Sequence, residues 1–135
     1  MHRLINLILN RKVALPLAII CTLSIGYLSL SDISTFPKIE VKHEDKIYHF
    51  VSYFVLNTIW LFAIVHISSK SLLPNILISL GILSFGIVIE IFQEIMTDYR
   101  VFDFYDILAN SVGVLVSYLC FELFRKRIFE NINSN

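Results

Sequence analysis

Residues 72–95 read LLPNILISLGILSFGIVIEIFQEI, and Glu90 is the first charge in them. A helix that crosses a bilayer needs ~20 mostly apolar residues, within a range of ~17–25. The charge-free run here, 71–89, has nineteen residues, while 13–31 has nineteen and 47–69 has twenty-three. A fourth run, 107–121, has fifteen. It reaches span length by passing Glu122 to Phe124, because a glutamate near a helix end can reach the headgroups. The expected spans are 13–30, 47–67, 72–95 and 107–124. They are too long for strands and lack period-2 alternation, which argues against a β-barrel. The expected fold is all-α, a bundle of four transmembrane helices in a single domain, 1–135.

Composition agrees. Of 135 residues 56% are hydrophobic and 16% charged, and net charge is zero; mean hydropathy is +0.73. A soluble domain this small exposes too much surface to hide so much apolar area. Disorder would need low hydrophobicity and high net charge. Zero net charge gives no general pull toward nucleic acid. The expected partner is the lipid bilayer, and an oligomer is left open. The first apolar run exceeds the 7–15 residues of a signal-peptide core, so an uncleaved first helix is expected. Cys21 and Cys120 both lie in apolar segments and are read as packing residues.

Charge asymmetry orients the chain. Arg3, Arg11, Lys12, Lys70, Arg125, Lys126 and Arg127 fall on one side of the four spans; Lys38, Lys42, Lys46 and Arg100 fall on the other. The side richer in Lys and Arg is cytoplasmic. Both termini are therefore expected inside, with 31–46 and 96–106 facing outward. The loop 31–46 is a candidate for a short surface helix, Leu4–Leu9 for an interfacial run, and Ser68–Ser71 for a tight turn. His43 reads as solvated, His66 as interfacial, and Trp60 as packing against lipid or helix.

Polar residues converge on the outward end. Spacings of three and four place Asp45, His49, Ser52 and Tyr53 along one side of the second helix. Glu90, Gln93 and Glu94 group on the third, where Gly86 and Ser79 continue the Glu90 face. Asp103 and Asp106 open the fourth, followed by Asn110, Gly113 and Ser117. Lys46 and Arg100 lie close by in sequence. Glu90 lies five residues before its helix end, about 7–8 Å deep at ~1.5 Å per residue. An acid within a span must face a partner, water or a proton, and is a functional-site hypothesis by default. Lys46, His49 and Arg100 are the candidate cations. His49, Glu90, Asp103 and Asp106 are legitimate N/O metal ligands, but no paired-His or Cys/His spacing supports a site. Neither a metal nor another cofactor is expected, and no glycine-rich phosphate loop occurs.

The series Asp45-Lys46-x-x-His49-Phe50, Glu90-x-x-Gln93, Arg100-x-x-Asp103-x-x-Asp106 and Asp106-x-x-x-Asn110-x-x-Gly113 resembles the VanZ-like family of small bacterial membrane proteins. The likeness runs from about Lys42 to Tyr118. One departure is Thr97-Asp98-Tyr99, where the family commonly carries a Pro/Gly-type turn. The resemblance implies a multi-pass protein of the bacterial cytoplasmic membrane. The family takes its name from a protein associated with teicoplanin resistance and has no generally established reaction. Three function classes follow. The first is an outward site binding a lipid-linked or cell-envelope ligand, with a contribution to glycopeptide resistance. Arg100, Lys46 and His49 would donate to an anionic head group, Gln93 and Asn110 would orient it, and Asp45, Tyr53, Glu90, Asp103 and Asp106 complete the candidate ligand-binding set. The second is a membrane-embedded hydrolase or transferase acting on a lipid, with His49, Glu90 and Asp106 as acid and base. The third is a small transporter or structural subunit.

Overall fold

The computed structural model describes residues 10–31, 44–65, 71–97 and 101–133, with side chains to residue 125. The expectations for Leu4–Leu9, the 31–46 loop helix, the Ser68–Ser71 turn, His43, His66 and Arg100 lie outside the described residues, Ser31, Glu44, Asp45, Lys46 and Ser71 apart. Among the described residues four helices make up the fold: α1 (Arg11–Leu30), α2 (Glu44–Ala63), α3 (Leu73–Met96) and α4 (Phe104–Asn133). Each is long and apolar enough to cross a membrane, and the described residues contain no strand. The described residues form an all-helical bundle of four membrane-crossing lengths.

The helix ends follow local chemistry. Asn10 caps α1 by accepting from Lys12 N at 3.0 Å. In α3, Pro74 occupies the first turn, where a missing N–H costs nothing. The start of α2 differs from the expected Ile47: the helix begins at Glu44 and takes in Asp45 and Lys46. Acids in a first turn meet the positive end of the helix dipole, so charge here marks the helix start and not its exclusion. α2 ends earlier than expected, tightening from a bond of Ile64 N to Trp60 O into one of Val65 N to Phe62 O. At the start of α4, Asp103 accepts from Tyr105 N at 2.8 Å through its side chain and from Asp106 N at 3.1 Å through its carbonyl. This helix runs on past Phe124.

Pairings at both ends make the helices antiparallel neighbours in sequence order. Ala14 and Ala18 near the start of α1 pack on Ala63 at the end of α2. At the other end, Gln93 donates to the Ser29 carbonyl at 2.8 Å, joining the ends of α3 and α1. The most extensive interface is that of α2 with α4. It depends on Gly113: a Cβ there would collide with the Phe50 carbonyl oxygen and crowd Phe54 N, both backbone atoms. Small residues that let helix backbones approach are the usual cement of membrane bundles, where water provides no hydrophobic drive between helices.

The interior is more polar than the surface. Asn57, Asn75, Ser79, Glu90, Gln93, Asn110 and Ser117 are buried, whereas Leu77, Leu80, Ile91, Leu115 and Leu119 are exposed. Lipid takes the apolar side chains, and the bundle keeps the polar ones.

Candidate functional site

The polar interior is densest where the start of α2, the end of α3 and the start of α4 meet. Lys46, in the first turn of α2, places its Nζ 2.6 Å from Asp45, 2.5 Å from Asp103 and 2.6 Å from Asp106. Asp103 lies just outside the spanning segments, and its hydrogen bond from Lys46 holds its carboxyl below the ordinary value. One ammonium thus joins α2 to the cap and first turn of α4.

One turn deeper lies His49. Its Nδ1 is 3.1 Å from Asn110 Oδ1, and because an amide oxygen only accepts, Nδ1 is the donor. The same nitrogen is 3.6 Å from Glu90 Oε1, and Nε2 is 3.5 Å from Asp106 Oδ2. Asp106 is therefore shared, one oxygen toward Lys46 and the other toward His49. Glu90 and Asn110 are each 1% exposed. Tyr53, a further turn along α2, is buried with the hydroxyl half of its ring against Gly86, one turn from Glu90.

Of the residues singled out in the sequence, Asp45, Lys46, His49, Glu90, Asp103, Asp106 and Asn110 form one connected cluster, with Tyr53 beneath it. Gln93 does not join it through the bonds it makes: its amide is spent on α1. Glu94 is on the exposed side of α3, one residue off the buried face. Lys46, expected as a donor to a ligand, is already held by three carboxylates. A ring nitrogen of His49 and carboxylate oxygens of Glu90 and Asp106 lie within 4.8 Å of one another and could hold a metal ion. The same is true of the trio Asp45, Asp103 and Asp106, which surrounds Lys46.

Two further polar layers escaped the sequence reading. Asn57 donates to Val114 O at 3.3 Å and Ser117 Oγ at 3.1 Å, and Ser117 pairs with Thr58 at 2.8 Å. The signal was available, since Asn57 follows His49 and Tyr53 at intervals of four on one face. At the far end, Asn75 donates to Glu122 at 2.6 Å, and Arg125 lies 3.2 Å from the other oxygen of Glu122. Glu122 was expected to reach the headgroups, but it turns inward to an amide across the α3–α4 interface, because burial with a partner satisfies its charge.

Four spans with a charged cluster at one end, its deeper members buried, define a multi-pass membrane protein. Comparison with known families identifies which kind: the VanZ/LLP1 family model matches residues 4–125, nearly the whole chain, and the protein belongs to that family. A protein of the fission yeast Schizosaccharomyces pombe, described as uncharacterized, is 30% identical over 124 residues, covering 90% of this chain and 70% of the yeast protein. No solved structure matches.

Proposed function

We propose that this VanZ/LLP1-family protein uses the cluster to bind the head group of a lipid-linked or cell-envelope ligand. The observation that carries the reading is the burial of Glu90 and Asn110, each 1% exposed, among three helices whose other faces are apolar. Taking a carboxylate out of water is a poor way to gain stability, because desolvation offsets the attraction it gains. The cluster sits at the end expected to face outward, so the ligand arrives from the outer leaflet of a bacterial cytoplasmic membrane. Four carboxylates (Asp45, Glu90, Asp103 and Asp106) outnumber Lys46 and His49. This favours a head group rich in hydroxyls and amines, with Arg100 contributing the cation for any phosphate. A role in glycopeptide resistance follows from the family's name and is part of the proposal.

Native mass spectrometry of the wild type beside Glu90→Gln and Arg100→Ala, each matched for abundance, tests this. A lipid or envelope precursor retained by the wild type and lost from both variants is the expected result. Folded variants that keep the same lipid complement as the wild type would overturn it. A second reading, a hydrolase or transferase, is favoured by the His49 ring lying between two carboxylates at 3.5 and 3.6 Å. Conversion of the retained lipid over time would select it.

A further inference from the structure

We propose that His49, Glu90 and Asp106 bind a divalent first-row metal ion, Zn2+ or Mn2+. The argument begins with the tautomer of His49. Asn110 Oδ1 accepts from Nδ1, so in the neutral ring Nε2 carries a lone pair. That nitrogen faces Asp106 Oδ2 at 3.5 Å. A lone pair turned toward a carboxylate requires a cation between them, either a proton on the ring or a metal ion. A proton there leaves Nε2 facing Asp106 and the Nδ1 N–H facing Asn110 and Glu90, at 3.1 and 3.6 Å. An ion would instead gather Asp106 and Glu90 on one centre, since each offers an oxygen within 4.8 Å of the other and of a ring nitrogen. One imidazole with two carboxylates suits Zn2+ or Mn2+ better than the all-oxygen cages of Ca2+ and Mg2+.

The surroundings are built as those of metal ligands are. A ligating histidine gives its other ring N–H to a fixed acceptor, and a ligating carboxylate is itself hydrogen-bonded. Asn110 is that acceptor, and Lys46 holds the second oxygen of Asp106 at 2.6 Å. Two buried polar atoms beside the donors point independently to a bound species. Asn110 Nδ2 has no hydrogen-bond partner among the described residues, although Asn110 is 1% exposed and its amide head lies in the cluster. The Tyr53 hydroxyl also has none, at 2% exposure and one turn from His49. Water or hydroxide completing the ion's coordination shell would give both a partner. The inference does not depend on which head group the bundle takes.

The full-length protein in lipid nanodiscs, incubated with Zn2+ or Mn2+ alone and then desalted, is the test material. Elemental analysis should find one ion per wild-type chain. Glu90→Gln and Asp106→Asn should each weaken binding at least ~10-fold. Glu94→Gln, which alters a carboxylate on the exposed side of α3, should bind as the wild type does. Pulsed electron paramagnetic resonance of the Mn2+ form should show coupling to an imidazole nitrogen that disappears in His49→Gln. This reading is made on the wild type, so it stands even where a carboxylate variant fails to fold. Wild-type protein that retains no ion after desalting, or Mn2+ without nitrogen coupling, would overturn the proposal and leave His49 as an imidazolium. Equal loss of metal in Glu94→Gln and Glu90→Gln would overturn it as well.

Discussion

At Gly113 α4 lies directly against the backbone of α2. An added methyl would strike the Phe50 carbonyl and approach Phe54 N, and neither backbone atom can swing aside. Gly81 has nothing within 4 Å of where a Cβ would stand. Gly113→Ala should therefore destabilise by about 1–3 kcal/mol, the usual cost of overpacking. Gly81→Ala should be neutral or stabilise by up to ~1 kcal/mol through helix propensity. Thermal midpoints of both variants in one detergent check the contrast. At Asp103 the prediction concerns pH. Its carboxyl is held below the ordinary value of 3.8 by Lys46, so its contribution is present above that value and disappears as pH falls through the lowered one. Wild type and Asp103→Asn should differ in melting temperature at pH 6 and converge only as pH falls well below 3.8. A difference that persists in acid would show that the charge on Asp103 is not what separates the two proteins, since asparagine keeps the capping oxygen.

At the scale of the element, all four helices were legible because hydrocarbon excludes charge, and a run without charge is visible directly. Their ends were less so. Glu44, Asp45 and Lys46 look like loop residues, yet they make the first turn of α2, where the dipole and the carboxylates of α4 receive them. The candidate site was readable as helical spacing on each segment, but the partner of each polar residue was not. That Gln93 reaches back to Ser29, or that Glu122 meets Asn75, depends on how far the helices are rotated against one another. Asn57 and Asn75 were hidden by the apolar residues around them. The Asn75–Glu122 bond offers a measurement. A double-mutant cycle with Asn75→Ala and Glu122→Ala should return a coupling of about 0.6–1.7 kcal/mol, the range found for hydrogen bonds between membrane helices. Additive losses would assign the stability of that end to Arg125 and Glu122 alone.

For the whole molecule, an even number of spans returns the chain to the side on which it began. The count of Lys and Arg predicts that side to be the cytoplasm. Cysteines introduced at Lys42 and Asn135 and probed from outside intact cells should label at 42 and stay protected at 135. The reverse pattern would move the cluster to the inner leaflet and with it the source of any ligand. The molecule also carries its own optical gauge. Trp60 is its one tryptophan, and its indole N–H donates to Thr22 Oγ1 of α1 at 2.9 Å, while that hydroxyl donates on to Ala18 O at 2.8 Å. Lifting α1 from α2 would strip the indole of its acceptor and expose it to acyl chains. The colour of its emission therefore reports whether the first helix is seated, with no dye attached, and Thr22→Val should shift it toward the blue.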